Sequence, residues 1–271
     1  VTAPVRLAVL GDPLRYSRSP ELHRAGAAAL GIACESELVR TPVPELAATL
    51  ARLEASGYTG CNLTMPLKEP ALACVRQATA RARRARSVNT ITFHATGSEG
   101  DTTDGVGFVE LLQALDRDIA SCGIVLLGSG GAARSLALAV ADAGGRIVGV
   151  VSRREPPADA AWGGALGARW CAWGSEAERE GLAAADVVVN CTPLGADGAP
   201  APLEPIARGA LVVDLTYGEA LTPWVRDARA RGLEAVDGLG LLVHQARHSL
   251  MRWFDRDVPL APLAAAVGWP R

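Results

Sequence analysis

Twenty-six of the 27 basic side chains in this sequence are arginine, and the exception is Lys68. Arginine serves a surface charge as well as lysine does, but it cannot release a proton near neutral pH. Lysine can, where its surroundings lower its pKa. A lone lysine in an arginine-rich chain is therefore a candidate for proton chemistry. Asparagine is almost as scarce: Asn62, Asn89 and Asn190 are the only three. The segment Asn62-Leu63-Thr64-Met65-Pro66-Leu67-Lys68 gathers an amide, a hydroxyl and the lysine. Ser87-Val88-Asn89-Thr90 adds a second amide, and Gly100-Asp101-Thr102-Thr103-Asp104-Gly105 a carboxylate. Each has a plainer use as well: Asp104 or Ser19 as a helix cap, Asn62 or Thr64 as a turn residue.

A second constellation has the chemistry of a dinucleotide site. Gly128-Ser129-Gly130-Gly131-Ala132-Ala133 follows an apolar run and opens a helical pattern. Gly128, Gly130 and Ala133 match G-x-G-x-x-G/A: a tight turn, close approach of backbone to pyrophosphate, and close helix–strand packing. The free N–H groups of the helix start then face the phosphates. An NAD site places an acid at the end of the next strand, whereas Ile147–Val151 runs into Ser152-Arg153-Arg154. Guanidinium groups and a hydroxyl suit a 2′-phosphate, so NADP is the expected nucleotide.

The elements that must position these groups follow from periodicity and punctuation. Leu7–Leu10, Tyr58–Leu63, Val88–Phe93, Ile124–Leu127, Ile147–Val151, Val187–Asn190 and Leu211–Leu215 have the length and apolarity of strands. Ser19-Pro20 is expected to cap and open a helix that Gly31 closes. Further helices are expected over Pro44–Ala55, Glu69–Ala78, Gly105–Leu115, Ala132–Ala143 and Leu239 to about Phe254. The last carries Leu239, Leu242, Val243, Ala246 and Leu250 on one face. Trp162–Trp173 is too rich in Gly and Ala to assign. Strands alternating with helices predict an α/β fold of two lobes: an N-terminal parallel α/β lobe and a Rossmann-type lobe. The expected domains are 1–101, completed by 239–271, and 102–238. In such sheets ligands bind beyond the carboxyl ends of the strands, where Asn62–Lys68 and Gly128–Ala133 both fall.

Composition removes several classes of function. A net charge of −2 leaves no basic footprint for nucleic acid and no polybasic membrane anchor. Apolar runs are strand-length, far short of the roughly 20 residues that span a bilayer. With no secretory pattern at the start, the expected location is cytoplasmic. Cys34, Cys61, Cys74, Cys122, Cys171 and Cys191 are scattered singly, which fits small apolar residues in a reducing compartment better than a metal site.

In order along the chain stand Gly11-Asp12-Pro13-Leu14-Arg15-Tyr16-Ser17-Arg18-Ser19-Pro20 with His23, then Asn62–Lys68, Ser87–Thr90 and Thr103-Asp104-Gly105-Val106-Gly107-Phe108. Gly128–Ala133, Asn190-Cys191-Thr192-Pro193-Leu194-Gly195, Asp214-Leu215-Thr216-Tyr217 and Asp237-Gly238-Leu239-Gly240-Leu241-Leu242-Val243-His244-Gln245-Ala246 complete the series. With these eight colinear motifs the chain resembles the shikimate dehydrogenases over essentially its whole length. The resemblance implies a substrate lobe completed by the last helix and an NADP lobe inserted in it. It also implies reversible reduction of 3-dehydroshikimate to shikimate by NADPH. Lys68 and Asp104 match the catalytic pair. Ser17, Ser19, Thr64, Asn89, Tyr217 and Gln245 match residues that hold the carboxylate and ring hydroxyls. Gly128, Ser129, Gly130, Gly131 and Ala132 are the expected pyrophosphate positions and Ser152, Arg153 and Arg154 the expected 2′-phosphate positions, while by the resemblance Leu215 and Gly238 line the nicotinamide.

Hydride arriving at a carbonyl carbon leaves negative charge on oxygen, which calls for a proton donor within hydrogen-bond reach. Lys68 can fill that role with Asp104 to orient it. Tyr16 stands where the family commonly has His, and His244 where it commonly has a different residue. Both adjoin substrate positions, so quinate and aminoshikimate are alternative substrates. A non-catalytic NADP-binding sensor is the alternative of a different class, though a sensor needs no Lys68/Asp104 pair. The expected partners are small molecules, with no nucleic acid or membrane, and the expected assembly is a monomer or homodimer.

Overall fold

The computed structural model describes residues 3–14, 16–153, 166–196 and 198–271. In chain order the first elements are β1 (Val5–Gly11), α1 (Ser19–Ala29), β2 (Cys34–Arg40), α2 (Leu46–Ala55) and β3 (Gly60–Leu63). Next come β4 (Gln77–Ala78), α3 (Ala80–Ala85), β5 (Thr90–His94), β6 (Gly97–Asp101) and α4 (Asp104–Ala114). The middle of the chain forms β7 (Gly123–Leu127), α5 (Gly131–Asp142), β8 (Arg146–Ser152), β9 (Arg169–Ala172), α6 (Glu176–Ala184) and β10 (Val187–Asn190). It ends with β11 (Leu211–Asp214), α7 (Pro223–Ala230), β12 (Glu234–Val236), α8 (Leu239–Phe254) and α9 (Leu260–Val267). Two compact units result. One comprises Val1–Gly107 and Leu242–Pro270, the other Phe108–Leu241 and Arg271. The division falls inside α4 and α8, a few residues beyond the expected positions 101 and 238.

The first unit is built on a six-stranded sheet in the order β2-β1-β3-β5-β6-β4. β1 is an interior strand, with five consecutive buried residues, as a strand flanked on both sides and covered on both faces should read. It pairs parallel with β2 and β3, so the ends of β1 and β3 open on the same edge. β5 and β6 depart from the expected parallel arrangement. Only two residues separate them, and so short a link can join only antiparallel strands. β5 is antiparallel to β3 as well. Leu10, Leu46, Leu50, Leu63, Leu67 and Ile91 lie at the centre of this unit's core.

The second unit has a sheet in the order β12-β11-β10-β7-β8-β9, parallel throughout. This is the doubly wound order, and its direction of winding reverses between β7 and β10. Every residue of β7, β10 and β11 is buried, matching their unbroken apolar runs. Trp224 is wholly buried among them, its indole N–H donating to the Ala201 carbonyl (3.1 Å).

Two local expectations need correction. Glu69–Ala78 is not a helix: it holds a 3₁₀ turn at Pro70–Ala73 and then β4, and the helix begins at Ala80. Thr79 decides this, because its Oγ1 accepts from Ala82 N–H (3.3 Å) as a true N-cap. Ser19 is not a cap but the first residue of α1, and its own N–H donates to Ser17 Oγ (3.2 Å). Within the unassigned Trp162–Trp173 stretch lies β9; residues 162–165 fall outside the described residues. Gly31, with φ of +72°, does follow the end of α1 as expected.

Among the described residues, no helix is long and apolar enough to cross a membrane. No group of His, Cys, Asp and Glu side chains among them could hold a metal ion.

His23 of α1 lies at the polar centre of the first unit's core. Its Nδ1 is 2.8 Å from Ser36 Oγ, its Nε2 2.8 Å from Asn62 Oδ1, and its ring meets Trp253 edge-on. The Asn62 amide nitrogen donates elsewhere, so Nε2 carries the proton and Nδ1 accepts from the serine. Complete burial pushes the imidazole down to about 4 from its ordinary 6.5. Between those values the unfolded chain binds a proton that the folded chain excludes. The stabilisation is therefore complete above about pH 6.5 and drains as pH falls toward 4, by about 1.4 kcal/mol per unit and about 3 kcal/mol in all. Urea titrations from pH 7 to 4.5 should show His23→Gln with a shallower loss of stability over that window. Equal slopes for both proteins would refute the assignment.

Candidate functional site

The edge on which β1 and β3 end collects the first group of side chains. Gly11, closing β1, has no room for a side chain: a Cβ there would lie 2.4 Å from Thr64 Cγ2. Thr64 follows β3, its N–H donating to the Leu10 carbonyl (2.8 Å). Four residues on, Lys68 Nζ stands 2.7 Å from Asp104 Oδ2. The Lys68 side chain keeps 21 % exposure and Asp104 only 5 %, so the lysine reaches the surface while the carboxylate stays enclosed.

Asp104 opens α4, where the helix N-terminus favours a carboxylate. Its second oxygen, Oδ1, accepts from Asn89 Nδ2 (2.8 Å). The same Asn89 nitrogen lies 2.9 Å from Thr103 Oγ1 and 3.1 Å from Gln245 Oε1. Asn89 Oδ1 accepts from Thr103 N–H (2.8 Å). Gln245 of α8 donates from Nε2 to the Leu242 carbonyl (3.0 Å). At this point α4 and α8 touch backbone to backbone, since a Cβ on Gly107 would come 2.7 Å from Gln245 N. Lys68, Asp104, Asn89 and Gln245, dispersed over 178 positions of sequence, thus form one hydrogen-bonded cluster.

Asp101 braces the approach to Asp104. It is wholly buried, and burial alone would raise its carboxyl; Arg81, Thr79 and Arg252 outweigh that and hold it below the ordinary 3.8. Arg81 Nε lies at 2.7 Å, Thr79 Oγ1 at 2.6 Å and Arg252 Nη1 at 3.1 Å. Ser17 and Ser19 form a separate hydroxyl pair (3.2 Å) at the start of α1, Ser19 buried and Ser17 half-buried. Tyr16 beside them is exposed, and His244 is buried edge-on against Trp269. Tyr217 belongs to the second unit, just past β11.

In the second unit the glycine-rich turn lies between β7 and α5 as expected. Gly128 has φ of +105°, and a Cβ on it would meet Thr192 Cγ2 at 2.8 Å, so this position requires glycine. Its N–H donates to the Val151 carbonyl at the end of β8 (2.7 Å). Gly130 caps α5 with no side-chain hydrogen bond, so Gly131 and half-buried Ala132 present the first N–H groups of the helix. Ser129 Oγ lies 3.1 Å from Ser152 Oγ, and exposed Arg153 follows. Arg154 lies outside the described residues. A bare helix N-terminus, a glycine cradle and an exposed cation past β8 fit a phosphorylated dinucleotide.

Two organising residues of this unit were not anticipated as such. Asn190 Nδ2 donates to Asp214 Oδ1 (2.8 Å), joining the ends of β10 and β11. Asn190 Oδ1 holds Thr192 and Asp214 holds Thr216 and Thr222, so both following turns are pinned. Gly238 donates to the Thr216 carbonyl (2.9 Å), and a Cβ there would lie 2.3 Å from the Leu215 carbonyl oxygen. Pairing of strand-end Asn and Asp is the signal that the motifs Asn190–Gly195 and Asp214–Tyr217 carried.

Residues 9–91 match the family model described as the shikimate dehydrogenase substrate binding domain. The shikimate dehydrogenase (NADP(+)) of Gluconobacter oxydans is 38 % identical over 257 residues, covering 92 % of this chain and 90 % of that protein. That of Acidiphilium cryptum is 41 % identical over 250 residues, covering 91 % and 89 %. The crystal structure of shikimate 5-dehydrogenase from Thermus thermophilus, in complex with NADP(H) and shikimate, superposes with a TM-score of 0.86. It is 31 % identical, with 97 % of this chain and 98 % of that one covered. Identity sustained over nine-tenths of both chains, together with the shared fold, means that the chain belongs to the shikimate dehydrogenase family.

Proposed function

We propose that this protein catalyses the reversible, NADPH-dependent reduction of 3-dehydroshikimate to shikimate. The observation that carries the reading is the Lys68–Asp104 pair, an ammonium held at 2.7 Å by an enclosed carboxylate that Asn89 in turn holds from its other side. NADPH, when bound, supplies the hydride. Lys68 gives its proton to the carbonyl oxygen as the alcohol forms and regains one from solvent; in the reverse direction it accepts the hydroxyl proton. Asp104 keeps Nζ in place through the exchange.

Ser17, Ser19 and Tyr217 are assigned to the substrate carboxylate, and Thr64, Asn89 and Gln245 to the ring hydroxyls. Gln245 uses one Nε2–H on Leu242 and has a second for the ring. Asn89 is fully engaged within the cluster, so its contact with the ring replaces its longest bond, that to Gln245. Gly128, Ser129, Gly130, Gly131 and Ala132 would hold the pyrophosphate, Ser152, Arg153 and Arg154 the 2′-phosphate, with Leu215 and Gly238 beside the nicotinamide. The partners are then small molecules, and a cytoplasmic NADPH pool suits the reaction.

Absorbance at 340 nm with shikimate, quinate or aminoshikimate, each against NADP and NAD, tests the reading directly. Shikimate should have the highest kcat/KM, because a site built to bond its hydroxyls discriminates among ring substituents. A higher value for quinate or aminoshikimate would reassign the substrate. NADP should be preferred over NAD by at least about tenfold, about 1.4 kcal/mol. Arg153→Ala should raise KM for NADP and leave NAD use nearly unchanged; equal use of both nucleotides by the unmodified protein would overturn the cofactor assignment. Lys68→Ala should lower kcat by about 10² to 10⁴ with a much smaller change in KM. Lys68→Arg keeps the cation without a releasable proton, so it should be nearly as slow. Full activity in Lys68→Ala would end the proposed mechanism.

A further inference from the structure

The segment Leu215–Ala220 carries the tyrosine assigned to substrate and one wall assigned to the nicotinamide. Its first residues are held by Asp214, whose Oδ1 accepts from Thr216 N–H (3.0 Å) and Thr216 Oγ1 (2.8 Å). Its far end has a different holder. Arg271 Nη1 donates to the Glu219 carbonyl (2.9 Å), and Nη2 to those of Gly218 (3.0 Å) and Ala220 (3.2 Å). Arg271 Nε donates to Asp237 Oδ2 (3.0 Å), and Nη2 bonds the same oxygen.

Asp237 is buried, and its other oxygen accepts from Leu239 N–H (3.2 Å) at the start of α8. One carboxylate therefore serves the helix with one oxygen and the guanidinium with the other. Between them Gly238 bonds Thr216, so the two strands of this arrangement are tied in the middle as well. The Arg271 carbonyl is itself fixed by Arg229 Nη2 (2.8 Å), whose Nε holds the Ala235 carbonyl (2.8 Å). A planar guanidinium presents its N–H donors in a rigid fork, so it can face three successive carbonyls and a carboxylate at once, with the two hydrogens of Nη2 shared among three acceptors.

We propose that Arg271 is a positioning residue: it latches Gly218–Ala220 to Asp237 and thereby sets Tyr217, Leu215 and Gly238 in the geometry that substrate and nicotinamide need. The roles of those three residues rest on the functional reading above; the latch itself does not. The sequence motifs ended at Ala246 and gave no sign of it.

The test compares the unmodified protein with Arg271→Gln and Arg271→Lys, by amide hydrogen exchange and by steady-state kinetics. In Arg271→Gln, peptides covering 215–221 and 237–239 should lose at least about tenfold in protection while those covering β7 and β10 do not change. KM for shikimate should rise about five- to twentyfold and kcat should fall about two- to tenfold, since both Tyr217 and the nicotinamide wall lose their fixed geometry. Arg271→Lys should recover little of either, since a point charge cannot hold three carbonyls at once. Unchanged protection at 215–221 overturns the latch, whatever the activity. Lost protection with an unchanged KM overturns the positioning role, as does exchange that quickens evenly through the unit. If the unmodified protein fails to oxidise shikimate, the functional reading fails, and the exchange measurement still decides the latch.

Discussion

One carboxylate sets the terms for the first unit. Asp104 is almost entirely enclosed, and an enclosed carboxylate is tolerable only when both oxygens have partners. Lys68 satisfies one and Asn89 the other. Each partner then imposes its own requirement. Asn89 must be held so that its nitrogen faces Asp104, which the Thr103 N–H does by gripping its oxygen. Lys68 must come off a loop anchored to the sheet, which its carbonyl achieves by accepting from Val88 N–H (2.7 Å). The absence of a side chain at Gly107 lets α8 approach closely enough for Gln245 to join. The cluster to which the chemistry is assigned and the cluster that orders the ends of β3, β5, α4 and α8 are the same atoms.

The three asparagines share a design. Asn62, Asn89 and Asn190 are all buried, all at or beside strand ends, and each uses both faces of its amide. Asn62 donates to the Asn89 carbonyl, Thr90 and Ser249 while accepting from His23. Asn190 does the equivalent between β10 and β11. An amide presents a donor and an acceptor in one rigid plane, so it can join a backbone group to a side chain at fixed angle, which neither Asp nor Ser does. Buried networks of this kind specify one arrangement because every alternative leaves a polar group unpaired.

Rarity in composition pointed to Lys68 and the asparagines before any fold was considered, and the asparagines turn out to organise the loops at strand ends. The Rossmann-type unit was the most legible part, since its strands are continuous apolar runs and its glycine turn has a mechanical reason for each glycine. The first unit was less so. β2, with sequence CESELVR, shows neither a clear apolar run nor a clean alternation, because it is an edge strand exposed along most of its length. The antiparallel turn of β5 into β6 rests on two ordinary residues with no Asn-Gly or Asp-Gly signal. Thr79 outcompetes Glu69 as a helix start through a hydrogen bond that spacing alone does not rank. Asp101, Arg81 and Arg252 meet through tertiary structure, and nothing local marks them as partners.

The first unit is discontinuous in sequence, and this bears on its birth at the ribosome. Gln245, Ser249, Arg252 and Trp253 all belong to α8, yet they complete polar and aromatic contacts with residues that precede Asp104. Those earlier residues leave the ribosome before all of Phe108–Leu241 has been made. At about 5–20 residues per second, that interval is on the order of ten seconds. Throughout it Asn62, Thr90 and Asp101 lack partners that only α8 can bring. Until α8 arrives, the chain therefore carries a first unit with a half-built polar core, the species that a chaperone would meet.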